Sequence, residues 1–203
     1  MELRECCKAR FEPVVEAVRE LESRDRHIGE RPVIIGIDGM CATGKTTLGY
    51  YLTELFDCNL FHMDDFFLRP QQRTKERLEE IGGNVDYERF LEEVLTPVMQ
   101  ERAVQYRPYD CHTGEIRKET EVPYRRLNVI EGSYSLHPYF GDCYDLRIFT
   151  ESTEERQLRN IRARNGEKML ERFVQEWIPK ENAYFEKYRI RENCMIVPWN
   201  LQS

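Results

Sequence analysis

Short apolar runs alternate with amphipathic segments along the chain. The runs lie at 33–38, 59–63, 127–130, 146–150 and 194–198, and most of their side chains are aliphatic, aromatic or sulfur-containing. Runs of this length, without strict alternation of polar and apolar positions, are typical of strands buried on both faces of a parallel sheet. The pattern therefore predicts an α/β fold in which helices cover both sides of a parallel sheet.

Helical spacing dominates the intervening segments. Apolar side chains between 11 and 21 repeat at intervals of three and four residues, which predicts an amphipathic helix within residues 1–30, at about 3–24. No repeat, low-complexity tract or flexible linker divides the 203 residues, so we expect a single domain spanning 1–203. The other predicted helices lie at about 45–56, 71–80, 87–102 and 152–191.

Composition narrows the classes of protein to which the chain can belong. A formal net charge of −7 argues against a general nucleic-acid binder, which normally presents a basic face. No apolar run approaches the roughly 20 residues needed to cross a bilayer, and the charged N-terminus does not resemble a secretory signal. The seven cysteines include no C-x-x-C pair, so neither a disulfide framework nor a zinc site is indicated. We expect a cytoplasmic protein with reduced thiols that binds neither nucleic acid nor membranes.

A glycine-rich motif follows the first predicted strand and precedes a predicted helix. Residues 39–46, Gly-Met-Cys-Ala-Thr-Gly-Lys-Thr, match the phosphate-binding pattern G-x-x-x-x-G-K-[ST]. Glycines permit a tight turn whose N–H groups point at phosphate oxygens, and the following helix adds its positive N-terminal end. Lys45 then reaches the β- and γ-phosphates of ATP or GTP, and Thr46 offers its hydroxyl to Mg²⁺. The predicted nucleotide-binding residues are Gly39, Met40, Cys41, Ala42, Thr43, Gly44, Lys45, Thr46 and Thr47.

Carboxylates follow two other predicted strands. Asp64 and Asp65 come after the second apolar run, and Glu131 comes after the third. A phosphotransferase needs a group that takes or orients the proton of the acceptor hydroxyl, and Mg²⁺ commonly uses one or two carboxylates. Because neighbouring strand residues point to opposite faces, we expect one of the two aspartates to face the site. The alternatives are that these aspartates cap a turn and that Glu131 is an ordinary loop acid.

Several motifs taken together resemble those of one enzyme family. They are the segments 39–46, 62–67, 82–87, 109–110 and 129–134. Over residues 33 to about 198, their order and spacing are similar to those of the uridine kinase-like P-loop kinases, a group that includes pantothenate kinase, phosphoribulokinase and nicotinamide riboside kinase. The resemblance implies a P-loop NTPase fold, with a five-stranded parallel sheet, helices on both faces and a small helical lid.

The resemblance also implies roles for individual residues. Asp64, rather than Asp65, matches the aspartate that acts as the catalytic base. Glu131 matches the acidic residue close to Mg²⁺ and the acceptor, so Thr46, Asp64 and Glu131 form the predicted metal site. Asp86 resembles the aspartate that holds the sugar hydroxyls in nucleoside kinases.

The stretch around residue 110 departs from the pattern of uridine kinases. Tyr109 and Asp110 resemble the pair that lines the nucleoside pocket, and with Asp86, His112 and Glu131 they make up the predicted substrate-binding set. Uridine kinases proper place a histidine several residues later, in an aromatic-rich stretch, whereas His112 follows almost at once. The base of the nucleoside, and uridine as the acceptor, therefore stay open.

Arginines are concentrated at about 152–168, the segment that resembles the lid of the family. Arg156, Arg159 and Arg162 share roughly one face of a helix, and such a face could close over a triphosphate. Arg159 and Arg164 are the first candidates for stabilising charge in the transition state. The alternative is a solvated helix whose arginines pair with neighbouring glutamates.

These patterns lead to one principal hypothesis and two alternatives. The chain is predicted to transfer the γ-phosphoryl of ATP, with Mg²⁺, to the 5′-hydroxyl of a nucleoside, with Asp64 as the base and Lys45 as a catalytic group on the phosphates. The first alternative is a kinase of another small metabolite, such as a vitamin precursor or a sugar. The second is a nucleotide-binding switch without an acceptor, against which the acceptor residues argue. The sequence is compatible with a homo-oligomer and does not fix the oligomeric state.

Overall fold

A five-stranded parallel sheet forms the centre of the protein. The structure is a computed structural model that describes residues 5–25, 31–111 and 113–199. In chain order, its strands are β1 Val33–Gly39, β2 Cys58–His62, β3 Val104–Tyr106, β4 Tyr109–Asp110, β5 Glu115–Ile116, β6 Thr120–Val122, β7 Leu127–Glu131, β8 Leu146–Glu151 and β9 Met195–Pro198. The central sheet has the order β2-β7-β1-β8-β9, and every neighbouring pair is parallel. The predicted α/β class is therefore confirmed.

Helices cover both faces of this sheet. Strand β1 illustrates this arrangement: its successive side chains point to opposite faces of the sheet, and both faces are buried. Ile35 shares one buried core with Phe11 and Leu48, whereas Ile34 belongs to a second core that contains Phe90. The helices are α1 Glu5–Asp25, α2 Lys45–Leu55, α3 Lys75–Glu79, α4 Tyr87–Phe90, α5 Thr96–Met99, α6 Glu154–Asn165, α7 Glu167–Arg172 and α8 Ile178–Lys187. Wide π-turns at Leu91–Leu95 and Phe173–Trp177 join α4 to α5 and α7 to α8.

The N-terminal helix follows its apolar pattern. Phe11, Val14, Val15 and Val18 are at most 1% exposed, and they share the core that contains Leu48 of α2. Helix α1 is therefore part of the domain core. Residues 1–4 and 26–30 of the predicted segment lie outside the described residues. None of the helices in the described ranges is long and apolar enough to span a membrane.

Three predicted helices are shorter than expected or divided. The segment 71–80 contains the end of a 3₁₀ turn, Pro70–Gln72, and then α3, none of whose residues is buried, so packing adds little to the stability of this helix. The segment 87–102 becomes α4 and α5 with a π-turn between them, and it ends at Met99. The segment 152–191 breaks at Gly166, whose φ of +79° ends α6 before α7 begins.

Two small antiparallel hairpins occupy a region for which the sequence pattern predicts no element. Strand β3 pairs with β6, and β4 pairs with β5. Each of these strands has only two or three residues, which is too short for an alternation of polar and apolar side chains to become visible. Strand β4 packs against the 3₁₀ turn at Met63–Phe66, which follows β2. The hairpins therefore lie beside the predicted catalytic aspartate.

The carboxyl ends of three neighbouring strands meet at one edge of the sheet. The register pairs Ile37 of β1 and His62 of β2 with Glu131 of β7. Because these pairs are parallel, the segments that leave the three strands start at the same level. The glycine-rich loop, the turn at Met63–Phe66 and the segment after Glu131 are consequently neighbours, as the strand pattern predicts.

Candidate active site

The phosphate loop, residues 39–46, has the tight backbone that its glycines predict. Gly39 and Gly44 have φ angles of +128° and +91°, in a region that favours glycine. At Gly39 space also excludes a side chain, because a Cβ atom would lie 2.1 Å from the carbonyl oxygen of Thr150 on β8. The loop therefore connects β1 directly to α2, which begins at Lys45.

The side chain of Lys45 turns back into the phosphate loop. Its Nζ donates hydrogen bonds to the carbonyl oxygens of Gly39 and Met40, at 2.7 and 2.9 Å, and the residue is only 8% exposed. An ammonium group has three donors, so these two acceptors leave one donor for an anion. The positive charge thus lies inside the turn, where a bound phosphate would need it.

A hydroxyl and a carboxylate join the start of α2 to the end of β7. Thr46 Oγ1 donates to Glu131 Oε2 at 3.2 Å, and Glu131 is 4% exposed. Thr47, the next residue of α2, is half-buried. Mg²⁺ prefers oxygen ligands and typically takes one or two carboxylates together with phosphates and water. The oxygens of Thr46, Glu131 and the nearby Asp64 therefore suit this ion, whereas the described residues contain no group of three or more His, Cys, Asp or Glu side chains that could hold a metal.

His62 is a member of the site that the sequence pattern did not indicate. Its Nδ1 lies 2.5 Å from Glu131 Oε1, so Glu131 is held from one side by Thr46 and from the other by His62. Burial lowers the pKa of His62, but the hydrogen bond and charge of Glu131 outweigh this effect and raise the pKa above 6.5. The pair could have been predicted from the position of each residue at the end of its strand, because β2 and β7 are neighbouring parallel strands and their register aligns His62 with Glu131.

Asp64 and Asp65 occupy the 3₁₀ turn after β2. Strand β2 ends at His62, so the turn separates the two side chains, and the alternation of a strand plays no part. Asp64 is open to solvent and lies beside Gly132, where a Cβ atom would be 3.6 Å from Asp64 Oδ1. Asp65 instead accepts a hydrogen bond from the hydroxyl of Tyr106 at 3.3 Å. The structure thus brings Asp64, and not Asp65, to the end of β7.

The pKa of Asp64 is raised above its ordinary value of 3.8. Although the side chain of Asp64 reaches solvent, the largest cause is that surrounding protein atoms reduce the hydration of its carboxylate, and the negative charge of Glu131 adds to it. The positive charges of Lys45, His62 and Arg164 act in the opposite direction without cancelling the rise. A raised pKa makes a carboxylate a better proton acceptor near neutral pH, provided that it is still ionised.

Asp86 is buried and already holds several partners. It caps α4, where its Oδ1 accepts from the backbone N–H of Arg89 at 3.3 Å. Its Oδ2 accepts from Gln72 Nε2 at 2.7 Å and lies 3.6 Å from Arg69 Nη2. A carboxylate has about four acceptor sites, so capacity for a substrate hydroxyl remains, although much of it is used.

Tyr109 and Asp110 form β4, next to the turn that carries Asp64. Tyr109 is 4% exposed, while Asp110 accepts from Arg117 Nη2 at 2.5 Å and from the N–H of Thr113 at 3.3 Å. The remaining predicted pocket residue, His112, lies outside the described residues. The structure therefore places Tyr109 and Asp110 beside the turn that carries Asp64, with Asp110 paired to an arginine.

The arginines of α6 differ in their surroundings. Arg164 lies close enough to Asp64 for its charge to act on the pKa of that carboxyl. Arg159 is exposed and forms no ion pair with any residue in the described ranges. Arg162 pairs with Glu167, with Nε and Oε2 2.7 Å apart, as the solvated-helix alternative predicts. The three arginines are thus not equivalent: the Nε of Arg164 donates to Asn165 Oδ1 at 2.9 Å, and Arg164 is the one whose charge acts on Asp64.

Arg10 connects the N-terminal helix to the outer side of the phosphate loop. Its Nη1 donates to the carbonyl oxygen of Thr43 at 2.8 Å, and its other nitrogens donate to two carbonyl oxygens near the end of β9, both at 3.0 Å. The ring of Trp199 covers the guanidinium at 4.7 Å, and Arg156 lies 5.9 Å from the same ring. The local sequence around Arg10 gives no sign of this contact, because the loop lies far along the chain.

Polar side chains from α6 and α8 bind the same loop. Gln157 and Asn160 donate to the carbonyl oxygens of Cys41 and Ala42, at 3.3 and 3.0 Å. Glu181 Oε2 accepts from the backbone N–H of Cys41 at 3.0 Å. Backbone groups that face away from a bound phosphate are therefore satisfied by side chains of the protein, which fixes the shape of the loop.

Cys41 is a buried thiol despite its place in the phosphate loop. Burial, followed by the negative charge of Glu181, raises its pKa to about 12. Lys45 and Gln157 lower the pKa without offsetting this rise. Because the thiolate is the reactive species, Cys41 is expected to be unreactive near neutral pH.

Comparisons with known proteins agree with this architecture. No known protein-family profile and no curated protein sequence matches the chain. A solved structure of a possible uridine kinase from Bacillus stearothermophilus superimposes with a TM-score of 0.70, covering 94% of this chain and 98% of that one, at 17% identity. The chain has a P-loop kinase fold. A protein from Silicibacter sp. TM1040, assigned as a fructose transport system kinase, shares this fold with a TM-score of 0.62 and 17% identity, over 83% and 90% of the two chains.

The P-loop kinase fold confirms the architecture that the motif resemblance implies. The five parallel strands and the helices on both faces are present, with the glycine-rich loop after the central strand β1. At 17% identity the likeness concerns the fold. The residues that bind the acceptor have to be argued from the site itself.

Proposed function

We propose that the protein is an ATP- and Mg²⁺-dependent kinase that transfers the γ-phosphoryl group to the 5′-hydroxyl of a nucleoside. The observation that carries this proposal is the meeting of the phosphate loop with two carboxylates, Asp64 and Glu131, at adjoining strand ends. A protein that only binds nucleotide has no need of a carboxylate with a raised pKa beside its phosphate site. The free thiols expected from the sequence suit a cytoplasmic location.

Binding of the donor is supported by the inward position of Lys45 and by the positive end of α2. A triphosphate in the loop would take the place of the two backbone carbonyls as partners of the Lys45 ammonium. When bound, Mg²⁺ would neutralise charge on the β- and γ-phosphates. Thr46 and Glu131 would hold that ion, and the hydrogen bond from His62 keeps Glu131 oriented toward Thr46.

Proton transfer is assigned to Asp64. The acceptor hydroxyl loses its proton to the carboxylate as its oxygen forms a bond to phosphorus, and the bond to the leaving ADP breaks. The raised pKa of Asp64 favours this role, since it brings the carboxylate closer to a neutral working pH. Arg159 and Arg164 of α6, in the proposed lid, supply positive charge to the transferring group.

A second candidate is a kinase of another small metabolite, such as a vitamin precursor or a sugar. It is favoured by the surroundings of Asp86, which already accepts hydrogen bonds from Gln72 and from the N–H of Arg89. A residue dedicated to ribose hydroxyls would be expected to have more of its acceptor capacity free. The arginine bound to Asp110 also differs from the aromatic stretch found at this place in uridine kinases.

The acceptor can be identified by measuring ADP release from ATP and Mg²⁺ with a panel of nucleosides, vitamin precursors and sugars. We expect one nucleoside to stimulate release, with no stimulation in the Lys45→Ala variant. Stimulation by a vitamin precursor or sugar alone would identify the second candidate. Tight ATP binding without stimulation by any compound would contradict both kinase assignments and favour a nucleotide-binding switch.

A further inference from the structure

A buried carboxylate on α8 joins two loops of the site. Glu181 is 5% exposed. Its Oε2 accepts from the N–H of Cys41 in the phosphate loop at 3.0 Å, and its Oε1 accepts from the hydroxyl of Ser133 at 2.6 Å. Ser133 lies two residues after Glu131, the carboxylate that binds Thr46. One side chain therefore contacts both the donor side and the acceptor side of the site.

Neither stability nor anion binding explains a carboxylate at this position. Burying a negative charge is costly, and Glu181 forms no ion pair within the described ranges that would offset the cost. Its charge also lies close to a loop that binds a triphosphate, which it repels. The feature that remains is geometric, because the two oxygens hold two separate loops at a fixed distance.

The loop that Glu181 holds on the acceptor side has a strained backbone. Tyr134, the residue after Ser133, has a φ of +70°, which is unfavourable for a residue with a side chain. Such a conformation persists only where neighbouring contacts impose it. On either side of Tyr134 those contacts include the bond from Ser133 to Glu181 and the bond from the N–H of Leu136 to Asp38 Oδ2, at 3.1 Å, and Ser135 Oγ also donates to the carbonyl oxygen of Ile37 at 2.8 Å.

Helix α8 supplies a second polar group to the same pair of loops. Tyr184, one helical turn after Glu181, donates from its hydroxyl to Asp38 Oδ2 at 2.9 Å. Asp38 Oδ1 in turn accepts from the N–H of Gly39, the first residue of the phosphate loop. Two side chains on one face of α8 thus reach both loops, directly or through Asp38.

We propose that Glu181 is a positioning residue that fixes the phosphate loop relative to Ser133, and through it relative to Glu131 and Gly132. For catalysis the inference rests on the proposed function, because it concerns the distance between donor phosphate and acceptor. Its effect on nucleotide affinity does not depend on the identity of the acceptor.

The first test compares Glu181→Ala with Glu181→Gln. Removing the bridge is expected to lower kcat by about 100-fold, since misplacement of reacting groups by about 1 Å has effects of this size. It is also expected to weaken MgATP binding by about tenfold, which corresponds to the loss of one charged hydrogen bond. Glutamine can accept from the N–H of Cys41 and donate to Ser133 Oγ, so this variant should stay within about threefold of the wild type.

A matched control comes from the segment that leads into α8. Glu176 is partly exposed and pairs with Arg172 and Lys180 at the surface. Glu176→Ala removes a glutamate close to the same helix without touching either loop, so kcat and MgATP affinity should be unchanged. A drop as large as that of Glu181→Ala would assign the effect to α8 in general and overturn the proposal.

A second variant keeps the test valid even where Glu181→Ala does not fold. Ser133→Ala removes one of the two bonds and is expected to lower kcat by about tenfold. In the double variant with Glu181→Gln, kcat should fall by less than the product of the two single fold-changes, because both substitutions act on one contact. Wild-type kcat in Ser133→Ala would overturn the proposal.

The outcomes separate this inference from the proposed function. If no compound of the panel stimulates turnover but Glu181→Ala weakens MgATP binding, measured by calorimetry, and Glu181→Gln restores it, the acceptor assignment fails and the positioning role stands. If Glu181→Ala lowers only the melting temperature, with wild-type kcat and affinity, Glu181 is structural and the positioning role fails.

Discussion

The phosphate loop and the proposed acceptor side of the site are stabilised by different kinds of contact. Side chains from α1, α6 and α8 bind the backbone of the loop from outside, and Lys45 binds it from inside. The proposed acceptor side contains, besides the loop after β7, short hairpins and a 3₁₀ turn. Here Asp64 is open to solvent, and Asp110 is bound by the exposed Arg117.

This difference suits a fold in which the loop for the phosphate donor stays the same while the segments proposed to bind the acceptor vary. A triphosphate needs the same binding groups whichever acceptor is phosphorylated. The conformation of the phosphate loop can therefore be fixed by contacts from three helices. The acceptor differs from enzyme to enzyme, and hairpins of two or three residues can change without disturbing the central sheet. We therefore expect mutations at the acceptor side to alter turnover and leave nucleotide binding intact.

Among the substitutions that test this separation, Asp64→Asn is expected to have the largest effect on kcat. We expect kcat to fall by about 10²- to 10⁴-fold, because the hydroxyl proton loses its acceptor, while the affinity for MgATP changes little. The pH profile gives a second measurement. Only the ionised carboxylate accepts a proton, so the raised pKa places the acid limb of kcat above 3.8, and the variant should lack that limb.

Asp65→Asn is the matched control for this change. Asp65 belongs to the same 3₁₀ turn but bonds to Tyr106, so its replacement should reduce kcat far less. Equal losses in the two variants would mean that the turn, and not the Asp64 carboxylate, is what catalysis requires.

A smaller effect is expected from the arginines of α6. Arg164→Ala should lower kcat by about 10²- to 10³-fold, the usual cost of removing one donor that stabilises transition-state charge. Arg159→Ala tests the other lid candidate in the same assay. Arg162→Ala serves as the control, since Arg162 already pairs with Glu167 and is expected to contribute little. Near-normal kcat in both Arg164→Ala and Arg159→Ala would remove the lid from the mechanism.

The smallest expected effect concerns the thiol inside the phosphate loop. With its pKa raised to about 12, Cys41 should resist alkylation at pH 7.5, so iodoacetamide should leave MgATP affinity unchanged. Cys111, the residue after β4, is exposed and should be modified first, as peptide mass spectrometry can establish. Rapid labelling of Cys41, with loss of nucleotide binding, would show that the loop is less rigid than its contacts indicate.

The fold and the shape of the phosphate loop are largely predictable because their signals are local. The runs that form β1 and β7 are apolar over their whole length, since both faces of the sheet are covered. The motif of the phosphate loop consists of eight contiguous residues, 39–46. Helix α1 shows its buried face through the spacing of apolar side chains such as Val14 and Val18.

The remainder of the site depends on contacts that no local pattern encodes. Arg10 and Glu181 resemble ordinary surface charges of their helices, and only the packing of α1 and α8 brings them to the phosphate loop. His62 becomes a partner of Glu131 through the register of two strands that lie far apart in the sequence. The hairpin strands β4 and β5 are too short to carry a pattern.

The place of β1 in the sheet also has a consequence for how the protein is made. β1 precedes the phosphate loop, yet its two neighbours in the sheet are β7 and β8, which lie far downstream in the chain. Pairing between distant segments is slow, and a chain leaves the ribosome with its N-terminus first. The proposed nucleotide-binding segment is thus translated early but assembled late, and we expect nascent chains to acquire nucleotide affinity only after Glu181 has emerged.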